Sequence, residues 1–199
     1  MFSGIVEAVM PIESSEELQN AYRIKIKKPS DFNDIKLGDS IACDGVCLTV
    51  EAFDDKHMTF ALAAETIKVL QWNPQSWLGK QVNLERSLRF GDRIHGHLVT
   101  GHVDSLGKVA RAALEGESFF LDVQVADSIL PYVWKKGSVT LNGVSLTVNE
   151  LQGNTVSVCL IPETLKRTNL GAVQVGGVVN VEPDYMARAI QRSLEVRKN

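Results

Sequence analysis

The chain has 199 residues, a formal net charge of −3 and 44% hydrophobic residues, which suits one or two globular domains and excludes a disordered chain. Its Lys and Arg are scattered rather than striped, which argues against nucleic acid as a partner, and no apolar run approaches the roughly 18 residues needed to cross a bilayer. Three cysteines give no disulfide framework; a reducing, cytoplasmic setting is expected, and Glu7 and Pro11 without a basic flank give no sign of a signal peptide.

In chain order, the elements are stated twice. Gly4-Ile5-Val6-Glu7 returns as Gly101-His102-Val103-Asp104, at an offset of 102 − 5 = 97. Asp44-Gly45-Val46-Cys47-Leu48-Thr49-Val50 returns as Asn142-Gly143-Val144-Ser145-Leu146-Thr147-Val148, at 142 − 44 = 98. Glu65-Thr66-Ile67-Lys68 returns as Glu163-Thr164-Leu165-Lys166, and Val82-Asn83-Leu84-Glu85 as Val179-Asn180-Val181-Glu182. This period is far longer than a solenoid or propeller repeat, so each copy is a whole small domain. Two such domains give two similar pockets, which suits chemistry on two similar molecules.

Each copy reads as β-rich. Short runs of Val, Ile, Thr, Phe and Leu are broken by turn residues. Asp44-Gly45 and Asn142-Gly143 are strong two-residue hairpin signals, because a type I′ turn needs φ > 0 at both central positions. Further turns are expected at Lys36-Leu37-Gly38-Asp39, Phe90-Gly91-Asp92 and Gln152-Gly153-Asn154. Many short strands suggest small closed barrels, which remove sheet edges. The first barrel is placed near residues 1–88, a connector at Arg89–Gly96, and the second barrel from His97 to Pro183; residues 1–96 and 97–183 are thus the two domains. Residues 184–199 differ. Met186, Ile190 and Leu194 form a helical row, Asp184 is placed to cap it, and Arg197 and Lys198 lie at its end, where positive charge is favoured. Its apolar stripe must pack on its own chain or on a partner subunit.

In a hairpin closed by Asn142-Gly143, Leu141 pairs with Val144 and Thr140 with Ser145. Ser145 and Thr147 then share one face, with Leu146 and Val148 opposite. Cys47 and Thr49 do the same in the first copy. Residues i and i+2 stand about 6.6 Å apart, a span that suits two hydrogen bonds to one planar heterocycle, although an ordinary outward polar face would look the same. The copies differ at Ile5 against His102 and at Cys47 against Ser145. Histidine is the side chain best suited to proton transfer near neutral pH, though a lone one is more often structural. His95, His97 and His102 lack a cysteine or carboxylate that would complete a zinc spacing, and Cys43 and Cys47 should point to opposite faces. Cys159, between Val158 and Leu160, reads as a small core residue.

These motifs resemble the riboflavin synthase family, alpha-chain type. The resemblance rests on Met1-Phe2-Ser3-Gly4-Ile5-Val6-Glu7, Gly96-His97-Leu98-Val99-Thr100-Gly101-His102-Val103-Asp104, Gly143 through Glu150 and Leu160-Ile161-Pro162-Glu163-Thr164-Leu165, and it runs from Met1 into the final helix. It implies an all-β fold of two tandem six-stranded Greek-key barrels, related by internal duplication, plus a C-terminal α-helix that gathers a homotrimer. It implies dismutation of two 6,7-dimethyl-8-ribityllumazine molecules, one giving a four-carbon unit to the other, with no metal or organic cofactor. Association with a lumazine synthase is compatible with it. Two rivals are a non-catalytic lumazine- or flavin-binding antenna protein and the flavin-binding barrel of an oxidoreductase, which would need a nicotinamide-binding domain.

By the same resemblance the first-barrel pocket would use Gly4, Ile5 and Val6, then Cys47, Leu48 and Thr49, then Ala61, Leu62, Ala63, Ala64, Glu65 and Thr66. The second would use Gly101, His102 and Val103, then Lys136, then Ser145, Leu146 and Thr147, then Cys159, Leu160, Ile161, Pro162, Glu163 and Thr164. The working site would lie between the first barrel of one subunit and the second barrel of its neighbour. His102 and Thr147 are the candidates for proton transfer at the C7 methyl, and Cys47 is a nucleophile or a hydrogen-bond partner. Phe2, Ser40 and Asp184 match further positions tied to activity; Phe2 either stacks on the pocket or packs in a core. Three places depart from the family pattern: Asp44 where Asn is usual, His95 where Gly is common, and Val69 through Trp77, where the second copy keeps Lys166-Arg167-Thr168-Asn169-Leu170-Gly171. Trp72 and Trp77 are expected at the rim of the first pocket or on an intersubunit face.

Overall fold

The structure, a computed structural model, describes residues 1–19, 21–71 and 77–197. Strands β1 (Ala8–Leu18), β2 (Ala21–Lys27), β3 (Ser40–Cys43), β4 (Val46–Phe53), β5 (His57–Ala63) and β6 (Gln81–Arg86) close one antiparallel barrel in the order β1-β2-β5-β4-β3-β6. Strands β7 (Ser105–Glu115), β8 (Ser118–Gln124), β9 (Ser138–Leu141), β10 (Val144–Gln152), β11 (Thr155–Leu160) and β12 (Val178–Pro183) close a second in the same order. In each, three hairpin-linked strands are followed by one that returns beside the first, the Greek-key arrangement. The duplication extends to irregularities: register shifts at Ile12/Ser14 and Val50/Ala52 recur at Val109/Arg111 and Val148/Glu150. Such bulges sharpen the twist a small barrel needs.

Alternation fills each barrel. Val46, Leu48 and Val50 face inward in the first, and Val144, Leu146 and Val148 in the second. Both hairpins form as read, with Asp44 and Gly45 at φ 47° and 80° and Asn142 and Gly143 at φ 46° and 79°; Leu141 pairs with Val144 and Thr140 with Ser145. Cys43 points into the core and Cys47 out of it, on opposite faces as expected. Trp77 is no rim residue: it is buried in the first core, its ring edge-on to Tyr22 at 6.2 Å. Trp72 lies outside the described residues.

Two short helices were not legible as helices. α1 (Ala64–Leu70) and α2 (Pro162–Arg167) follow β5 and β11, on the repeated Glu-Thr segment. At six or seven residues they are too short to show an apolar period. The longer α3 (Tyr185–Val196) is capped by Asp184, whose side chain accepts the Met186 amide at 2.9 Å. It docks through Ala187 and an Arg188–Asp104 ion pair. Met186, Ile190 and Leu194 stay 51, 58 and 48% exposed, so the apolar row is not spent on its own chain. Arg197 stands at the helix C-cap, whereas Lys198 lies outside the described residues.

The two hairpin turns meet back to back. A Cβ on Gly45 would lie 2.7 Å from the Gly143 nitrogen, and the reverse holds. Asn83 donates to the Asn142 carbonyl and Asn180 to the Asp44 carbonyl, both at 2.8 Å. The repeated Asn therefore satisfies the opposite copy's turn and fixes how the barrels dock. Asp44, fully buried, accepts from the Asn83 amide at 2.8 Å and Asn169 Nδ2 at 2.7 Å, with Lys80 Nζ at 3.2 Å. Burial pushes its carboxyl up while Lys80 opposes this.

Candidate functional site: two shelves and two exchanged arms

Residues 1–7 and 98–104 form two arms that lead into β1 and β7. They meet at the inter-barrel axis, where Phe2 and Val99 exchange backbone hydrogen bonds of 2.8 and 3.1 Å. Beyond that point each arm crosses to the other barrel. The Gly4 carbonyl accepts the Ser145 amide at 2.8 Å, and the Gly101 carbonyl accepts the Cys47 amide at 2.8 Å. Val6 is buried in the second barrel's core and Val103 packs against the first. Only glycine permits this contact: Gly4 and Gly101 have φ of 76° and 80°, and a Cβ on either would stand 2.5 Å from Ser145 Cβ or 2.6 Å from Cys47 Cβ.

The expected grouping of pocket residues by copy is therefore corrected. Gly4 and Val6 lie against the second barrel, and Gly101 and Val103 against the first. Ile5 and His102 remain counterparts, each carried on an arm whose glycine bonds to the other copy's barrel. The repeat identifies which residues correspond; it carries no information on which barrel a linking segment lies against.

Two outward shelves result. The first carries Cys47 and Thr49 from β4, Ala61 and Ala63 from β5, and the arm Gly101–Val103. The second carries Ser145 and Thr147 from β10, Cys159 from β11, Ile161 beyond it, and the arm Gly4–Val6. Thr49 and Thr147 are exposed, and Cys47 and Ser145 half-buried. Leu48, Leu62, Leu146 and Leu160 belong to the cores, so only their main chains face the shelves. Cys159 is half-buried on the outward face, not in the core, because the strand alternates about Val158 and Leu160. Ala64, Glu65 and Thr66 lie in the first turn of α1, and Pro162, Glu163 and Thr164 in that of α2, where the chain leaves β5 and β11.

The shelves share a backbone and differ in chemistry. Ser145 Oγ is 2.7 Å from His97 Nδ1, and His97 Nε2 is 3.2 Å from Thr140 Oγ1. Burial lowers the His97 pKa, and nearby Asp184 opposes the shift. A neutral ring donates at one nitrogen and accepts at the other, so it fixes the Ser145 hydroxyl. On the first shelf the counterpart of Thr140 is Ala42, packed with Cys47, and the exposed His102 is carried by the arm. Lys136 adds a further difference. It takes φ 69° where its counterpart Gly38 takes 87°, a left-handed conformation that costs a side-chain-bearing residue roughly 1–2 kcal/mol. The substitution gives the second copy a cation that the first lacks.

Phe2 is fully buried with Ala42 and Val99 and touches Cys47. It packs beneath the first shelf rather than stacking on it. Ser40 pairs with Thr49 across β3 and β4. With Ile5 it also opens on a separate cavity of about 640 Å³ walled by Arg86 of β6 and by Arg89 and Arg93 of the connector. Asp184 is half-buried and acts on His97 and on α3. His97, weighed in the sequence only as a metal ligand, and Thr140, placed there only by its pairing with Ser145, join Ser145 in one hydrogen-bonded group. Among the described residues, no group of three or more His, Cys, Asp or Glu is placed to hold a metal ion.

The lumazine binding domain family model matches residues 3–87 and 100–184, one match per copy. A riboflavin synthase of Photobacterium phosphoreum is 37% identical over 100% of this chain and 91% of its own length. One of Bacillus subtilis is 36% identical over 98% of this chain and 90% of its own. Among solved structures, LumP complexed with riboflavin superposes with a TM-score of 0.82 at 23% identity, over 92% of this chain and 99% of that one. LumP complexed with 6,7-dimethyl-8-(1'-D-ribityl) lumazine gives 0.80 at 22%, over 92% and 98%.

Proposed function

This chain belongs to the riboflavin synthase family of lumazine-binding enzymes, and from that premise we propose that it joins two 6,7-dimethyl-8-ribityllumazine molecules into riboflavin and 5-amino-6-ribitylamino-uracil. The observation that carries this reading is the unlike chemistry of two shelves built on one scaffold. Two identical substrates must take different roles, one giving four carbons and the other receiving them. A symmetric enzyme could not assign those roles.

The C7 methyl of the lumazine is acidic because its anion delocalises into the ring, so the substrate is its own electron sink. The protein has then to bind, orient and move protons. Holding two reactants face to face supplies roughly 7–11 kcal/mol of the barrier reduction. On the first shelf His102 removes or returns the C7-methyl proton beside Cys47 and Thr49. On the second, Thr147 and the His97-held Ser145 hydroxyl fix the other ring, with Lys136 at its edge. In this reading a site is completed when the first shelf of one subunit faces the second shelf of its neighbour, in a homotrimer that buries the exposed Met186, Ile190 and Leu194 row. The cytoplasm suits its free Cys43, Cys47 and Cys159.

Purified protein in excess chelator is expected to make one riboflavin for every two lumazines consumed. The fold likeness to LumP supports a second reading, a binding protein without turnover. Tight lumazine binding with no riboflavin formed would establish that reading and overturn this one.

A further inference from the structure

The repeated Val-Asn-x-Glu motif has one half still without a role. Its Asn docks the barrels. Its Glu, at Glu85 and Glu182, is buried at the start of each arm. Glu85 Oε1 accepts from the Ser3 amide at 2.7 Å and the Ser3 hydroxyl at 2.8 Å, and Oε2 from the Gly4 amide at 3.0 Å. Glu182 Oε1 accepts from the Thr100 amide at 2.8 Å and hydroxyl at 2.7 Å, and Oε2 from the Gly101 amide at 3.1 Å. Both carboxylates are thus clamped on two consecutive amides and one hydroxyl. The very next group in each arm, the glycine carbonyl, takes the amide of Ser145 or Cys47.

The clamps feed unlike residues. Past Gly4 the arm presents Ile5, which is apolar. Past Gly101 it presents His102, whose own amide donates to Thr100 Oγ1 at 3.3 Å. The Thr100 hydroxyl therefore donates to Glu182 and accepts from His102, which links the buried carboxylate to the backbone of the exposed histidine. Charged acceptors make hydrogen bonds roughly twice as strong as neutral ones, so a buried carboxylate is a firm anchor for a segment that forms no regular strand.

We propose that Glu182 is a positioning residue for the reaction, holding His102 over the Cys47 shelf through Thr100 and Gly101, whereas its counterpart Glu85 supports only the binding surface around Ile5. The inference rests on the riboflavin-forming reading for its catalytic half. Its structural half stands on the ligand-free chain.

The test compares Glu182→Gln and Glu85→Gln in the full-length protein. Glutamine keeps one acceptor oxygen and turns an NH₂ group toward an arm donor, so one clamp bond is lost without a change of size. Three readouts are taken: single-turnover riboflavin formation, lumazine titration, and the NMR signals of the His102 ring and the Gly101 amide in ligand-free protein. For Glu182→Gln the expected result is a chemical step slowed about 10- to 100-fold, in keeping with the cost of misplacing a reacting group. Lumazine affinity should be little changed, and the His102 and Gly101 signals should shift or broaden. Glu85→Gln should leave the His102 signals near the parent and weaken lumazine binding. Thr100→Val removes only the hydroxyl link and is the second variant should Glu182→Gln not fold; it should disturb His102 in the same sense. Unchanged His102 signals in whichever variant folds, or equal losses of the chemical step in Glu182→Gln and Glu85→Gln, would overturn the proposal. A parent that forms no riboflavin would overturn the reaction reading instead, and the ligand-free NMR comparison would still decide whether Glu182 positions His102.

Discussion

The two shelves were built from one plan and have come to differ in where their histidine stands. On the first, His102 is exposed on an arm whose Gly101 carbonyl takes the amide of the half-buried Cys47. On the second, His97 is half-buried and bound through both ring nitrogens to Ser145 and Thr140. In the proposed reaction the first histidine exchanges protons with a ligand, whereas the second is hydrogen-bonded to two hydroxyls. A duplicated scaffold can thus assign unlike roles to identical substrates with few substitutions: Ile5 against His102, Cys47 against Ser145, Ala42 against Thr140 and Gly38 against Lys136.

Breaking what the shelves share should have the largest effect. Phe2 packs at the crossing of the two arms, so Phe2→Ala should lose about 3–5 kcal/mol of stability in denaturant unfolding, as large core truncations do, and take activity with it. A variant of near-parental stability would show that Phe2 is no part of the common floor. Next comes the difference itself. His102→Ala should slow single-turnover riboflavin formation by about 10²–10⁴-fold, the usual worth of general acid–base catalysis. Ile5→Ala, at the equivalent position, should change mainly lumazine affinity. Matched effects in that pair would remove the case for divided roles. Cys47→Ser gives the first shelf the second shelf's hydroxyl. An altered hydrogen bond is worth about 1 kcal/mol, so turnover should fall by roughly tenfold at most while lumazine still binds; full loss of turnover would make the thiol a nucleophile.

The smallest effect sharpens the other side. Burial holds the His97 imidazole below its ordinary value. Such a group adds stability above the unfolded value of about 6.5 and loses it as pH falls through the lower folded value. The parent should therefore lose more stability than His97→Gln between about pH 7 and about pH 5, measured by urea unfolding. Parallel losses would mean that His97 is not buried neutral.

Much of this is legible in the residues alone. Asp44-Gly45 and Asn142-Gly143 fixed both hairpins because few residue pairs accept φ > 0 twice, and strand alternation then placed Cys47, Thr49, Ser145 and Thr147 outward. Asp184 announced α3. The arm exchange was not legible. Residues 1–7 form no named strand, so their location is set by Gly4 against Ser145 and Glu85 against Ser3, contacts between residues far apart in the chain. Cys159 reads as core only if its apolar neighbours are taken as a run; strand alternation about Val158 and Leu160 turns it outward. The left-handed Lys136 left no mark in a sequence where lysine is ordinary.

The central claim is that His102 works on the same shelf as Cys47 and on the opposite shelf from Thr147. Subunit mixing tests it directly, since a site drawn from two chains can be repaired by combining chains damaged on different shelves. His102→Ala and Thr147→Ala proteins, each slow alone, should recover riboflavin formation when unfolded and refolded together, because some sites then pair two intact shelves. His102→Ala mixed with Cys47→Ala should recover nothing. Recovery in the second mixture and none in the first would place His102 with the second barrel and contradict the exchange of the arms.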